Sequence, residues 1–590
     1  MPESMIVDQL ARLRRQRTAP LILELDLTEG IAEDPPADPV SALLAMRRAR
    51  LADLLDGLRR ARSDQRVKAL VAKIGGRPIG LATVQEIRRA VEEFRDAGKV
   101  TVAWAESFGE FSAGNVPYYL ATAFDTIFLQ PSGDLGLTGI AMERFFLRGT
   151  LDHLGVDFQV AKRYEYKSAA EQFTERGFTG PAREATERLA ASITGQLTEA
   201  ISERRQIPAA EVRKLIDRGP FLAAQAHESH LVDELGYRDE VYAHVKKQAG
   251  PDAVVAHLSR YQRSRALAER ARSLPSSRQR HVALIYATGP IRRGRSGRSP
   301  MSGNAMGSDT ISAALRSAAA DDAVRAIVLR VNSPGGSYVA SDTIWREVVR
   351  ARSAGKPVVV SMSDVAASGG YFISMAADVI VAQPGTITGS IGVITAKPVL
   401  SDLLERAGVS TDSVAEGAHA EMFKATRPFT EDEWALVNSW LDHIYADFTG
   451  KVASGRRMTA ERVHELARGR VWTGADALAS GLVDELGGLD RALAVARRRA
   501  GLPVAAPLRI YPRSGPLERF RPQSAADAAT GLAGTGLVGT GLVGTGLART
   551  GLSALPALIA EAWGPVWRLA AQSGLPPHGP LMLPGSWTFD

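Results

Sequence analysis

The chain has 590 residues, of which 45% are hydrophobic and 23% are charged, and it contains no Cys. This length predicts two or more domains, because single hydrophobic cores stop growing beyond about 250–300 residues. The absence of Cys excludes disulfides, thiol catalysis and thiolate metal sites. The net charge of +7 is small for this length, and no known nucleic-acid-binding motif accompanies it, so we expect no nucleic-acid partner.

Apolar runs of the length that membranes require are missing from most of the sequence. Residues 1–17 are basic and lack the apolar core of a signal peptide. The uncharged run 528–548 is long enough to cross a bilayer, but its many Gly residues disfavour a helix. We therefore expect a cytoplasmic or peripherally membrane-associated protein. The tail 501–590 is predicted to be a Gly/Thr/Leu-rich low-complexity linker, with a membrane contact as the alternative.

Strands and helices alternate along the first half of the chain. The pattern predicts strands at 21–27, 67–74 and 99–105, with helices at 39–62 and 83–98. Strongly apolar strands that alternate with helices are typical of βαβ units and of a largely parallel sheet. The first half is therefore predicted to be an α/β domain.

The same order returns in the second half, with strands predicted at 281–287, 324–331 and 356–363. Tyr118 matches Tyr371 at an offset of 253 residues, and the string LVDELG occurs at 231–236 and again at 482–487. Such steady offsets indicate an internal duplication. We predict homologous domains at 18–257 and 280–500, each folded around its own sheet. The Arg-rich segment 258–279 between them is interpreted as a basic surface linker, with an anionic partner as the alternative.

A small-residue turn after a strand of the second half offers a candidate nucleophile. Ser368 stands between the apolar strand PVVVSMS and an apolar run that begins at Gly369. A Ser on a strand-to-helix turn is presented where backbone N–H groups and the helix dipole favour negative charge. The alternative is a Gly-rich turn that only connects two elements.

Alignment of the two halves reveals an asymmetry. Ser368 falls on Asn115, so the first half has the turn without the hydroxyl. Lys167, in the string YKSAAEQF, falls on Ala420, so the second half has no Lys there. One half therefore offers a candidate nucleophile and the other a candidate base.

The strings SPGG, ASGGY, TGSIGV, YKSAAEQF and both copies of LVDELG resemble motifs of the signal peptide peptidase A family in its long, two-domain form. The resemblance implies two tandem domains of the α/β, Clp protease/crotonase-like fold. It also implies a serine protease with a Ser–Lys dyad, in which Ser368 is the nucleophile, Lys167 is the general base and Ser390 holds the Lys. Long-form members usually begin with a membrane-spanning segment, and this sequence departs from that pattern.

The resemblance further implies substrates and partners. We expect hydrolysis of small apolar peptides such as cleaved signal peptides, and assembly into a homo-oligomer, namely a tetramer-like ring. A peripheral membrane contact stays open. No metal or organic cofactor is needed for this chemistry. The alternatives are a non-catalytic crotonase-like scaffold and an acyl-CoA enzyme.

A Lys acts as a base only when it is neutral, so we expect burial to lower the pKa of Lys167 well below its free value of about 10.4. Backbone N–H groups of Gly369 and of the Gly335–Gly336 turn are the candidates for an oxyanion hole. His419, next to Ala420, is an alternative base.

Paired acids in both LVDELG strings, at Asp233–Glu234 and Asp484–Glu485, are an alternative metal site. Their duplication in both halves favours a structural turn instead. We therefore predict no metal site.

Overall fold

The computed structural model describes residues 19–35, 48–272, 279–299, 303–512 and 581–582. The N-terminal residues 1–18, the start of the predicted first helix and most of the C-terminal tail lie outside the described residues. Within the described ranges, no helix combines the length and the apolar character needed to span a bilayer.

The first half alternates strands with helices. Its strands are β1 Leu21–Asp26, β2 Ile31–Ala32, β3 Ala49–Arg50, β4 Val67–Lys73, β5 Val100–Ala105, β6 Thr126–Leu129, β7 Asp134–Leu135, β8 Asp157–Arg163, β9 Phe221–Leu222, β10 Glu234–Leu235 and β11 Val254–His257. Its helices are α1 Leu51–Ser63, α2 Leu81–Asp96, α3 Asn115–Ala121, α4 Arg148–Leu154, α5 Glu171–Thr174, α6 Gly180–Arg205, α7 Ala209–Arg218, α8 Ala223–Glu228, α9 Arg238–Ala249 and α10 Leu258–Arg272.

The second half repeats this alternation. Its strands are β12 His281–Thr288, β13 Ile291–Arg292, β14 Gly297–Ser299, β15 Gly303–Gly307, β16 Val324–Ser333, β17 Gly335–Gly336, β18 Val358–Ala367, β19 Val379–Ala382, β20 Ile387–Gly389, β21 Val393–Val399, β22 Val471–Thr473, β23 Glu485–Leu486, β24 Leu508–Tyr511 and β25 Leu581–Met582. Its helices are α11 Ser308–Ala320, α12 Tyr338–Ser353, α13 Gly369–Phe372, α14 Ser401–Arg406, α15 Glu431–Arg456, α16 Ala460–Leu466, α17 Gly474–Ala479 and α18 Leu489–Arg499.

The main sheets of the two halves have the same strand order. The first sheet runs β10-β6-β5-β4-β1-β11, and all of its pairs are parallel. The corresponding strands of the second sheet run β23-β19-β18-β16-β12-β24, again all parallel. Strand β20 also pairs with β18, and β22 joins β20 in antiparallel orientation. Parallel sheets with crossover helices confirm the predicted α/β class.

Equivalent side chains hold equivalent turns in the two halves. The hydroxyl of Tyr118 donates a hydrogen bond to the Leu231 carbonyl at 2.7 Å. The hydroxyl of Tyr371 donates to the Leu482 carbonyl at 3.0 Å. Each bond ties the helix after the third main strand to the start of an LVDELG string, so the matched letters of the sequence are matched contacts as well.

The two sheets share a hydrophobic core. One buried cluster contains Leu70 and Leu197 of the first half together with Val328, Val359 and Leu493 of the second. A separate core, which includes Ile344, fills the other side of the second sheet. The strands of each half thus form a sheet of their own, whereas part of the core is shared between the halves. The reason is that one apolar face of the second sheet is covered by the first half.

A buried ion cluster lies in the same interface. The fully buried guanidinium of Arg330 contacts Glu33 and Glu86 at 2.6 Å each and donates to the hydroxyls of Ser361 and Ser363. Burial, opposed by the charge of Arg330, raises the pKa of Glu86 to about 7. The interface thus joins one cation of the second half to two carboxyls of the first.

Some element boundaries differ from the sequence expectation. Helix α1 begins at Leu51, because the preceding residues Ala49–Arg50 pair with Ile31–Ala32. Part of the Arg-rich segment forms helix α10, whose Leu258 and Tyr261 are buried against the first half. Strand β24 pairs with β12, so the second sheet continues beyond residue 500.

Candidate active site

Two strands that leave the main sheets bring the candidate residues together. Strand β8 of the first half pairs with β21 of the second in antiparallel register, from Arg163 opposite Val393 to Asp157 opposite Val399. Lys167 follows β8 by four residues, and Ser390 precedes β21 by three. Because the pairing starts at Arg163 and Val393, the loop that carries the Lys and the loop that carries the Ser meet at one end of this ribbon.

Lys167, Ser368 and Ser390 form one buried cluster. All three are 0% exposed. The Nζ atom of Lys167 lies 2.9 Å from the Oγ of Ser368, 3.0 Å from the Oγ of Ser390 and 3.1 Å from the Ser390 carbonyl oxygen. A neutral amine at these distances can accept the Ser368 proton while it donates to Ser390.

Burial alone accounts for the altered basicity of this Lys. Desolvation lowers the pKa of Lys167 from 10.5 to about 7, because a buried site disfavours the charged ammonium. The three groups within hydrogen-bond distance of its amine are two Ser hydroxyls and a carbonyl, none of which carries a charge. A base with a pKa near neutrality is suited to proton transfer at physiological pH.

The turn at Ser368 has a strained backbone. Ser368 has φ 55 and ψ −113, between strand β18 and the one-turn helix α13. Its N–H donates to the Gly389 carbonyl at 2.8 Å, and its own carbonyl accepts from the Phe372 N–H. Its hydroxyl makes no capping bond to the helix, so it is directed to the Lys. A non-Gly residue at positive φ is a feature that functional sites retain at a cost of about 1–3 kcal/mol.

A loop of the second half fixes the backbone of the Lys. The Tyr166 N–H donates to the Arg468 carbonyl at 3.2 Å. Gly469 has φ +86, and a Cβ atom there would lie 2.5 Å from the backbone nitrogen of Lys167. This glycine therefore allows the two halves to approach. Sequence reasoning missed it, because a single Gly between two Arg residues carries no distinctive signal.

The glycines predicted to form an oxyanion hole lie beside Ser368. Gly335 and Gly336 have φ of +104 and +152, which favours glycine. A Cβ on Gly336 would lie 2.1 Å from the Ile291 carbonyl oxygen, and one on Gly369 would lie 3.1 Å from the Gly336 nitrogen. The strand Gly335–Gly336 and the turn after Ser368 are thus in direct contact, as an oxyanion hole made from both would require.

The corresponding turn of the first half is held by hydrogen bonds of the Asn115 side chain. Asn115 is 1% exposed, and its side chain accepts hydrogen bonds from the Thr138 and Gly139 N–H groups and donates to the Gly139 carbonyl. An open cleft of about 800 Å³ lies beside this turn, lined by Gly75 and Gly76 among others. Asn115 therefore places a hydrogen-bonded amide where the second half has the Ser368 hydroxyl.

The other sequence candidates lie apart from this cluster. His419 and Ala420 are exposed, and the Ser368 hydroxyl meets Lys167 rather than the imidazole. The carboxylates of Asp233 and Asp484 accept hydrogen bonds from the Ile127 and Ile380 N–H groups, at 2.7 Å each. The Asp of each LVDELG string thus braces an equivalent strand, β6 or β19. No group of three or more metal-ligating side chains occurs within the described ranges.

The family model of peptidase family S49 matches residues 93–252 and 350–503. The chain is also similar to the chloroplastic serine protease SPPA of Arabidopsis thaliana, at 33% identity over 77% of this chain and 66% of that protein. Protease 4 of Salmonella typhi is 34% identical over 77% of this chain and 72% of its own length. Protease 4 of Haemophilus influenzae is 31% identical over 75% and 71%, respectively.

Proposed function

The chain belongs to peptidase family S49 and is a serine-type peptidase, and we propose that it cleaves peptides with Ser368 as nucleophile and Lys167 as general base. One observation carries this proposal. The amine of Lys167, fully buried and with its pKa lowered to about 7, lies 2.9 Å from the Ser368 hydroxyl. A Ser hydroxyl becomes an effective nucleophile when such a base removes its proton.

The first chemical step is acylation. As the Oγ of Ser368 attacks the peptide carbonyl carbon, its proton moves to the Nζ of Lys167, and the tetrahedral oxyanion is held by N–H groups of Gly369 and of the Gly335–Gly336 strand. The ammonium then gives the proton to the leaving amine, and the C–N bond breaks. Each oxyanion donor is typically worth about 3–4 kcal/mol in the transition state.

Water completes the cycle. The neutral Lys167 takes a proton from a water molecule that attacks the acyl carbonyl, and the Ser368 oxygen leaves and regains a proton from the Lys. Ser390 forms no covalent bond in either step. Its hydroxyl and carbonyl, at 3.0 and 3.1 Å from the amine, orient the lone pair of Lys167 toward Ser368.

The substrates that we propose are small, apolar, extended peptides such as cleaved signal peptides. The Gly335–Gly336 strand supports an extended substrate, because a strand edge beside the nucleophile can bind peptide main chain by hydrogen bonds. We further propose two tandem Clp protease/crotonase-like domains, at 18–257 and 280–500, and assembly into a homo-oligomeric ring. The matched strand orders of the two sheets support the tandem arrangement.

Covalent labelling tests this proposal. A serine-reactive phosphonate should modify Ser368, as mapped by mass spectrometry, and the Ser368→Ala and Lys167→Met variants should neither be labelled nor hydrolyse a fluorogenic apolar peptide. Asn115→Ser, in the matching turn of the first half, is the control and should keep its activity. Labelling at another Ser would contradict the proposed role of Ser368. Binding of a CoA thioester without peptidase activity would contradict the proposal as a whole and favour a crotonase-type enzyme.

A further inference from the structure

The first half has a cleft at the place where the second half carries the candidate active site. The cleft has a volume of about 800 Å³ and is lined by the loop after β4 and by the turn that precedes Asn115. The matching loop and turn of the second half carry strand β17 and Ser368. We propose that the first-half cleft is a second peptide-binding site, which holds an apolar, extended peptide segment without cleaving it. This inference rests on the proposed position of the peptidase site at Ser368.

The equivalence of the two places follows from the helices that begin beside them. Helix α2 begins at Leu81 and helix α12 at Tyr338, an offset of 257 residues. At this offset, Pro78 and Ile79 correspond to the two glycines of β17. Both residues line the first-half cleft. The cleft therefore lies where a peptide in the second half would meet β17.

The same comparison shows why a bound peptide would not be cleaved here. Pro78 has no N–H group, so one donor of the proposed oxyanion hole has no counterpart in this half. Asn115 stands in place of Ser368, and its amide is engaged by the backbone of the loop that follows it. The hydroxyl of Ser107, which lines the cleft, donates to the carboxylate of Asp134. The cleft is thus suited to binding rather than to hydrolysis.

The lining suits the main chain and the apolar side chains of a peptide. The N–H groups of Gly75, Gly76 and Ile79 donate to no acceptor among the residues that the structure describes. Such backbone groups can bind the carbonyl oxygens of an extended peptide whatever its sequence. Apolar surface comes from lining residues that are buried in the core, namely Ile74, Val84, Val116 and Leu120.

The charges of the lining favour an uncharged ligand. The charged side chains are two cations, Lys73 and Arg77, and two carboxylates, Glu106 and Glu110. Lys73 forms an ion pair with Glu106 at 2.9 Å, and Arg77 lies 3.8 Å from Glu29. A cleft with balanced charges does not attract a polyphosphate group. An apolar peptide therefore fits this lining better than an acyl-CoA does.

An exposed aromatic ring stands at the rim of the cleft. Phe111 lies between the lining residues Glu110 and Ser112, and its side chain is fully exposed. Its φ is +51, a strained conformation for a bulky residue, and such strain is concentrated at functional sites and ligand clamps. A peptide that covers the ring removes apolar surface from water, which favours binding. Phe111 therefore supplies an apolar contact for a peptide in the cleft.

The experiment is photo-crosslinking of the full-length Ser368→Ala variant, which should leave the probe intact. The probe is a short, uncharged peptide of Leu and Ala that carries one benzophenone side chain, and crosslinked residues are mapped by mass spectrometry. We expect saturable crosslinks at residues 73–79 and 106–113, in addition to crosslinks near residue 368. An excess of the unlabelled peptide should suppress the cleft crosslinks, and a CoA thioester should not.

Two substitutions of exposed residues test the site itself. Phe111→Ala removes the ring, and Ser112→Trp fills the cleft. Each should raise the probe concentration for half-maximal crosslinking in the cleft about tenfold, because apolar contact with the peptide is lost. Phe145→Ala is the matched control, since Phe145 is an exposed residue of the same half outside the cleft lining. Urea midpoints establish that the variants remain folded.

Three results would overturn the inference. The first is crosslinking confined to the neighbourhood of residue 368. The second is suppression of the cleft crosslinks by the CoA thioester but not by the unlabelled peptide. The third is a change of oligomeric state in Phe111→Ala, measured by sedimentation, with unchanged cleft crosslinking, because the ring would then belong to an interface between copies of the chain.

These outcomes separate the cleft from the chemistry. If Ser368→Ala retains full peptidase activity, the proposed function fails, and the crosslink map still decides whether the cleft binds peptide. If Ser368→Ala is inactive and the cleft is not crosslinked, only the inference about the cleft fails.

Discussion

The acidic limb of the pH–rate profile is the most direct test of a Lys base. Lys167 can accept the Ser368 proton only as the neutral amine, and burial lowers its pKa to about 7. Below that pKa the neutral fraction falls tenfold per pH unit. The kcat/KM for a peptide should therefore drop, from a plateau above about pH 8, to roughly one tenth of it near pH 6.

The assay is hydrolysis of an uncharged fluorogenic peptide from about pH 5 to about pH 10, with substrate well below KM, so that kcat/KM reports on the free enzyme. Circular dichroism at each pH separates loss of catalysis from loss of fold. His419→Ala is the matched control, because its imidazole is exposed. Its profile should superimpose on that of the unchanged protein.

Two results would refute this reasoning. A limb near pH 6.5 that shifts or disappears in His419→Ala would assign the base to the imidazole. A limb above about pH 9 would mean that the site does not lower the pKa of Lys167, and the buried geometry would then fail to account for a neutral amine.

Further predictions concern stability and packing. Lys167→Met should raise the free energy of unfolding at pH 7 by up to about 4 kcal/mol, because Lys167 is fully charged at that pH in the unfolded chain but only partly charged in the folded protein. In urea titrations this gain in stability should vanish as the pH rises toward the unfolded pKa of 10.5. Gly469→Ala should lower kcat at least tenfold and should also lower the urea midpoint, since its Cβ would displace the Lys167 backbone and Ala is strained at a φ of +86; an unchanged kcat would show that the loop can shift to accommodate the Cβ. Arg330→Met should cost about 3–5 kcal/mol of unfolding free energy, because Glu33 and Glu86 lose their buried cation, and an unchanged urea midpoint would contradict this.

Many strands of the fold were predictable because their sequence patterns are local. The predicted strands at 67–74 and 324–331 correspond to β4 and β16, since continuous apolar runs bounded by Gly turns are typical of buried parallel strands. The offset between Tyr118 and Tyr371 predicted the duplication, and the two residues make the same hydrogen bond in each half.

The candidate site was predictable only as separate residues. The alignment singled out Ser368 and Lys167, because each lacks its counterpart in the other half, and Ser390 came from the family resemblance. The structure brings all three within hydrogen-bond distance, and their chemical roles stay predictions. The pairing of β8 with β21, which joins them, has no signal in either strand alone, since strand pairing between distant segments depends on the whole topology.

Features at the junction of the halves also escaped prediction. Sequence periodicity shows which residues of a strand are apolar, but not which domain covers them. Val328 and Val359 could therefore not be assigned to a core that includes Leu70. The strand at Leu581–Met582 was equally hidden, because two residues in a low-complexity tail carry no periodicity.

The division of the site between the halves follows from the duplication. Asn115 and Ser368 occupy equivalent positions at the starts of equivalent helices. In the proposed mechanism Ser368 is the nucleophile, so the position of Asn115 is free to carry an amide that braces its own loop. The proposed base, Lys167, comes from the first half, where it lies against the second half's loop at Gly469. Burial at this interface is also what lowers the pKa of Lys167. The contact between halves therefore sets both the position of the proposed base and its pKa, and separation of the halves would remove both together.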